Sequence, residues 1–347
     1  MAGKKRKLGK NFFTAITLIL SVGILLAFLF TTGGGIEMLA KIARTLRRPW
    51  LTAAVLAAIA CWLLEGFELN LLCRHLQPGW KYFKSFLTGM VGFLYSAVTP
   101  FATGGQPMQV YSLSGMGMNT GMAVSIVTMK TLIYQVVMVL YALCMVALRL
   151  HYFQTSVTNF AFLTVIGLIT NCLFIMVVVL FMVSERTTDR ILRSVLSLLH
   201  RMKLCRCPEK RYEKIHNQLE AFHGASKIMG NSAPLYLSVT ASSALQITLN
   251  SLIPFFIYRS FNMRGASVLT MVAAQVFVAM VSAFVPLPGS SGGAEGSFYL
   301  FFGLYFRSAI FPAILLWRMI TYYANIVFGG VFAYFANRLK NRKQEHG

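Results

Sequence analysis

At 347 residues the chain has the length of about two soluble domains, but its composition excludes that class. It is 56% apolar and 12% charged with mean hydropathy +0.64, where soluble domains carry roughly 25% charged residues. The net charge of +22 does not imply nucleic acid, because the cations stand in short runs between long apolar stretches, the pattern of basic loops facing anionic lipid headgroups.

The N-terminal run Lys4, Lys5, Arg6, Lys7 and Lys10 precedes an apolar stretch over 11–30. At ~20 residues this is too long for a signal-peptide core and reads as a retained first helix. Stretches 50–72, 120–148, 158–183, 234–258 and 309–336 also reach the length of a span. Two further apolar regions are interrupted: Ser85–Val98 runs into TPFATGGQP, and Ser267–Val285 runs into PLPGSSGGAEG. Pro and Gly clusters end helices. Irregular backbone at membrane depth survives only when buried in protein or lining a wet cavity, so both breaks are candidate sites.

An offset of 188 residues lays one break on the other. It pairs Pro100 with Pro288, Gly104 with Gly292, Gly105 with Gly293, Tyr111 with Tyr299, Gly115 with Gly303, Lys130 with Arg318 and Tyr134 with Tyr322. If each interrupted region crossed fully, the loop 184–233, with ten Lys and Arg, would lie outside, against the positive-inside rule. If each is a re-entrant hairpin, that loop and both termini are cytosolic. The basic segment 31–49 stays on the wrong side under either count, and an interfacial helix is expected there.

The expected fold is therefore an all-α integral membrane protein of eight apolar segments: six spanning helices and two re-entrant hairpins in an inverted repeat, the architecture of secondary transporters. Its parts are a first half over 11–183 with the motif 85–117, a basic cytosolic loop over 184–233, a second half over 234–337 with the motif 267–306, and a tail over 338–347. Within the loop, Ile191, Val195, Leu198 and Leu199 recur at helical spacing among Arg190, Arg193 and Arg201. They form either an amphipathic helix on the inner leaflet or a solvated basic connector.

Charges inside a bilayer are costly and mark function. Glu65 and Glu68 share a helix face at i and i+3, Lys130 and Arg318 sit near the middles of their helices, and Glu295 ends the second break. The cations either neutralise the glutamates in a static network or meet an anionic substrate group, with Glu65 and Glu68 as counter-charges. Glu65, Glu68 and Glu295 are also the candidates for carrying a proton. Tyr134 and Tyr322, one turn after each cation, either add hydroxyl contacts or pack. The turns at Gly104, Gly105, Gln106, Gly292 and Gly293, with Thr103, Ser290 and Ser291, either offer backbone N–H groups to a phosphate or let helices approach closely.

Nucleotide and catalytic motifs fail. No phosphate-binding loop of the G-x-x-x-x-G-K-[ST] kind exists. Gly289–Gly293 fits G-x-S-x-G around Ser291, but Asp189 is the sole Asp, it precedes the Ser, and the only later His is His346. Cys205 and Cys207 with His200 and His216 lack the usual zinc spacing, the other four Cys lie in or beside apolar segments, and neither disulfide, metal nor cofactor is expected.

Thr99–Leu113 (TPFATGGQPMQVYSL), Pro286–Phe298 (PLPGSSGGAEGSF) and Trp317–Tyr323 (WRMITYY) resemble the signatures of the lysylphosphatidylglycerol synthase transmembrane family, also called the flippase-like domain. The resemblance spans the chain from first helix to last. It implies movement of aminoacylated or glycosylated lipids between leaflets of the cell membrane, with Glu295 and Arg318 at the family's acidic and basic positions. It also implies a stand-alone form, since the synthases of the family add a soluble catalytic domain that has no counterpart here. The readings are then a lipid translocase working without ATP, with membrane lipids as its partners; a membrane component of phosphatidylglycerol lysyltransferase, tied to cationic-peptide resistance and needing a separate synthase protein; or a small-solute carrier.

Overall fold

The computed structural model describes residues 46–156, 208–230, 232–283 and 285–345, with a few positions between 169 and 180. The expected spans 11–30 and most of 158–183, the segment 31–45, the helix expected over 190–201 and the Cys205–Cys207 pair lie outside the described residues. All regular structure among those described is helical. In chain order these helices are α1 (Arg48–Leu76), α2 (Tyr82–Val98), α3 (Gly105–Gly115), α4 (Thr120–Ser156), α5 (Pro208–Gly230), α6 (Ala233–Ser260), α7 (Val268–Ser282), α8 (Gly293–Phe306), α9 (Ile310–Arg318) and α10 (Ala324–Glu345). Short 3₁₀ turns at Pro100–Ala102 and Pro288–Ser290 join α2 to α3 and α7 to α8, and a π-helical turn at Met319–Tyr323 joins α9 to α10.

Arg48–Leu76, Thr120–Arg149, Ala233–Ser260 and the run Pro288–Leu339 are long and apolar enough to cross a membrane. They contain the expected spans 50–72, 120–148, 234–258 and 309–336. The exposed side chains Leu140, Leu237, Leu245, Leu304 and Val327 suit a surface solvated by lipid rather than water.

Both interrupted regions are hairpins. Lys84 Nζ donates to the Met116 carbonyl at 3.1 Å and the Thr88 hydroxyl to Ser112 Oγ at 3.4 Å, a register that only antiparallel legs produce. In the second hairpin Ser282 and Ser297 stand 3.5 Å apart. The repeat extends to element boundaries. The 188-residue offset carries Pro100–Ala102 onto Pro288–Ser290 and the start of α3 at Gly105 onto the start of α8 at Gly293. Even the left-handed backbone repeats, with φ of 52° at Phe101 and 54° at Ala102 against 60° at Gly289 and 53° at Ser290.

The two halves are inverted. α1 packs along its counterpart α6 in antiparallel fashion: the Arg47 N–H donates to the Ser260 carbonyl at 2.8 Å, and Gln246 Nε2 donates to the Cys61 carbonyl at 3.1 Å. The hairpins meet through their tips, where the two 3₁₀ turns touch. Two apolar clusters flank this meeting point. One stacks Phe298, Phe302 and Trp317, with ring centroids at 4.3 and 4.7 Å; the other gathers Leu69, Leu72, Leu113, Ile126 and Met229.

Part of the basic loop is an ordered helix that the sequence reading did not anticipate. α5 buries Phe222, Ala225 and Met229, and its Ser226 hydroxyl stands 2.7 Å from that of Ser125 on α4.

The hairpin geometry is open to a direct check. Cysteines at Thr88 and Ser112 should cross-link in the membrane-embedded protein, read as a bridged peptide by mass spectrometry. A straight helical crossing would set these positions about 36 Å apart and give no bridge.

Candidate functional site

The polar residues form two clusters, one for each half of the repeat. In the first, Glu65 and Glu68 project from α1, Gln109 from α3, Lys130 and Tyr134 from α4, and Gln246 from α6. Glu65 is saturated. Its Oε1 accepts from Gln109 Nε2 at 2.9 Å, and its Oε2 accepts from Lys130 Nζ and from Gln246 Nε2 at 3.2 Å. Lys130 Nζ lies 4.0 Å from Glu68 Oε2 and 5.7 Å from the Tyr134 ring centroid.

The small residues of α2 make this possible. A Cβ at Gly89 would lie 2.8 Å from Glu65 Cγ, and one at Gly92 would run into the Gln109 amide. The hairpin thus delivers Gln109 to Glu65 because its first leg carries no side chain in the way.

The second cluster sits where the tips meet. Arg318 ends α9 and is 6% exposed. Its Nε lies 2.7 Å from Glu295 Oε1, its Nη1 donates to the Gly289 carbonyl at 3.0 Å, and its guanidinium stands 5.1 Å from the ring centroids of Trp317 and Tyr322. Nη2 is buried with no hydrogen-bond partner among the described residues. Gly289 sits at φ 60°, and a Cβ there would enter the Tyr322 ring. The Tyr322 hydroxyl reaches across the tips to the Ala97 carbonyl at 3.3 Å.

Several backbone donors at the turns are occupied. The Gly104 N–H donates to Thr99 Oγ1 at 2.8 Å, and the Gly292 N–H donates to Glu295 Oε2 at 2.6 Å. Glu295 therefore caps α8 as well as pairing with Arg318. The Thr103 and Ser291 hydroxyls donate to the carbonyls of Pro100 and Pro288, at 2.9 and 2.8 Å, tying each tip to itself. Gln106 is exposed at the start of α3, Gly105 is buried and Gly293 half-buried.

The residues proposed from sequence thus divide. Lys130, Tyr134, Glu65 and Glu68 come together, as do Arg318, Glu295, Tyr322 and the Gly turns, but Lys130 and Arg318 belong to separate ion pairs. Between the clusters lies a cavity of about 110 Å³ lined by Cys61, Tyr134, Gln246, Asn250, Thr321 and Asn325, among others. Gln109, Gln246 and the π turn were missed. Only the break in the helix pattern near Arg318 signals the π turn, and nothing in the local pattern marks either Gln. Pro254 inside α6 has no N–H for the Asn250 carbonyl one turn earlier. The π turn sets Thr321 on the cavity and Tyr322 on the tips, a distortion of the kind that recurs at functional sites. Its closing bond runs from the Ala324 N–H to the Met319 carbonyl.

A sequence model of the family described as the lysylphosphatidylglycerol synthase TM region matches residues 15–329. The chain belongs to that family. It is also similar to a protein of Archaeoglobus fulgidus named UPF0104 membrane protein, 27% identical over 305 residues that cover 82% of this chain and 86% of the relative. This is accordingly a multi-pass membrane protein of the synthase TM-region family. Both hairpins fall inside the matched residues.

Breaking a buried ion pair by removing one partner costs about 3–5 kcal/mol, because the other charge is stranded. Lys130→Ala should therefore lower the thermal midpoint of the detergent-solubilised protein sharply, and adding Glu65→Gln should recover part of the loss. A Lys130→Ala protein as stable as the wild type would show that this pair does not hold α1, α3, α4 and α6 together.

Proposed function

We propose that this protein moves an anionic or zwitterionic lipid between leaflets without nucleotide hydrolysis, with the headgroup phosphate meeting Arg318 at the joined hairpin tips. The observation that carries this reading is a buried guanidinium whose Nη2 has no hydrogen-bond partner among the described residues, set where two re-entrant turns converge. An unpaired buried donor of this kind is costly, and a phosphate oxygen is the acceptor that arginine's planar fork suits best. Glu295 then serves as the counter-ion that holds the guanidinium in place when no lipid is bound. Lys130, already paired with Glu65, acts through the scaffold.

The family supports a lipid as cargo, and its description favours aminoacylated phosphatidylglycerol as the lipid class. The amine of such a headgroup is cationic, so its phosphate would meet Arg318 while its amine approached Glu295. On this reading the protein sits in the cell membrane with both termini and the 184–233 loop cytosolic, an orientation that the Lys and Arg of that loop and of the termini support. The same family description favours a second reading, a membrane component of a phosphatidylglycerol lysyltransferase that works with a separate synthase chain.

Purified protein in liposomes should speed the exchange of labelled phosphatidylglycerol or its lysyl ester between leaflets with no nucleotide present. Arg318→Ala should slow that exchange about tenfold or more, since a hydrogen bond to a charged group contributes ~1.5–3 kcal/mol. Arg318→Lys, which keeps the charge but not the fork, should recover only part of the rate. Exchange by Arg318→Ala at the wild-type rate would overturn the assignment of the phosphate to this residue. Unaccelerated exchange by folded wild type, with lysyl transfer appearing when a synthase is added, would favour the second reading.

A further inference from the structure

Glu68 is 0% exposed, and among the described residues neither of its carboxylate oxygens has a donor at full hydrogen-bonding geometry. It shares one ammonium with Glu65, and that ammonium is bonded to Glu65. Two carboxylates and one lysine leave a surplus negative charge in an apolar surround, where a bare carboxylate is among the least tolerated groups. Glu65 has three donors, one of them the ammonium; Glu68 has only the Ser243 hydroxyl beside it. The Ser243 hydroxyl on α6, itself 0% exposed, is set against Glu68, and among the described residues no other group bonds it. A proton on Glu68 removes the surplus charge and lets the carboxylic acid donate to the Ser243 oxygen.

We propose that Glu68 is an exchangeable proton-binding site, holding a proton while Lys130 is bonded to Glu65 and releasing it to water when the ammonium moves across to Glu68. The bond that breaks is the Glu68 O–H, and the ion pair that replaces it lies within a short swing of Lys130 Nζ, already 4.0 Å away. The cavity of about 110 Å³ is lined by Cys61, Tyr134 and Gln246 beside this cluster and is roomy enough to hold the water that would take the proton.

The other titratable and charged groups near the site are these, among the described residues. α1 contributes Glu65 and Cys61, and α4 contributes Lys130 and Tyr134. From α2 comes Lys84, engaged by the Met116 carbonyl. α5, which packs against α4, buries His223, while α3 and α6 present the neutral amides Gln109 and Gln246. Glu295, which the sequence also offers as a proton carrier, caps α8 and pairs with Arg318. On the translocase reading above, on which this step rests, proton movement at Glu68 is coupled to lipid movement.

Two measurements on the full-length protein test this. Infrared difference spectra over a pH titration in nanodiscs should show a buried carboxylic-acid carbonyl band that disappears in Glu68→Gln, an isostere of the protonated form. The band should persist in Glu220→Gln and shift without loss in Ser243→Ala, a milder variant that keeps the test sound if Glu68→Gln fails to fold. In liposomes an imposed pH difference should change the lipid exchange rate of wild type and leave that of Glu68→Gln unmoved. Absence of a band assignable to Glu68 overturns the proposal. So does exchange that ignores a pH difference or follows a sodium gradient instead, while leaving the translocase reading standing. A Glu68 band in a protein that exchanges no lipid upholds the proton site and rejects the translocase.

Discussion

A helix that stops inside an apolar layer exposes backbone donors and acceptors that lipid cannot satisfy, and two apolar helices of this protein stop short at Pro- and Gly-rich turns. The arrangement at the tips answers that constraint. Thr99 and Glu295 accept the N–H groups of Gly104 and Gly292, Arg318 donates to the Gly289 carbonyl, and Tyr322 donates to the Ala97 carbonyl. Each tip is sealed by residues of its own half, and Tyr322 of the second half adds a bond to the first. The polar groups needed to end the helices are thereby concentrated in one place, and that place is where a polar headgroup could be accommodated at membrane depth.

The two halves share a backbone plan but have diverged in how they use their cations. In the first half Lys130 is drawn to Glu65 on α1, and the hairpin leg α3 sends Gln109 to the same carboxylate, so the charge serves to lock four helices. In the second half the acid has moved into the hairpin turn itself. Glu295 caps α8 and holds Arg318 beside the tips, leaving one guanidinium nitrogen unused. Inverted repeats place their sites at the interface of the halves, and here one half supplies a braced frame while the other supplies the available cation.

Much of the fold was legible because its signals are large relative to the noise of local sequence. Helix-length apolar stretches, Pro-Gly breaks and loop charge fix the hairpins, and the pairing of Pro100 with Pro288 and Gly105 with Gly293 anticipated the repeat to the residue. The site was only partly legible. Lys130 and Arg318 align in the repeat, but alignment does not reveal that each has its own carboxylate. Gln109 and Gln246 look like any polar residue on a helix until tertiary packing turns them toward Glu65. The π turn depends on how α9 and α10 accommodate Arg318 and Tyr322, a property of packing rather than of pattern. α5 was hidden by its charge, since a basic, low-hydropathy stretch reads as solvated until Ser125 and its apolar neighbours are seen beside it.

The claim at the centre of this account is that the joined tips form a phosphate site around Arg318. The most direct measurement is a cryo-electron microscopy map of the protein purified with phosphatidylglycerol or its lysyl ester. The account predicts headgroup density at the tips, with a phosphate oxygen within hydrogen-bond distance of Arg318 Nη2 and the acyl chains lying out toward the bilayer. Lipid confined to the outer apolar surface, with Arg318 Nη2 closed off by protein groups, would contradict it.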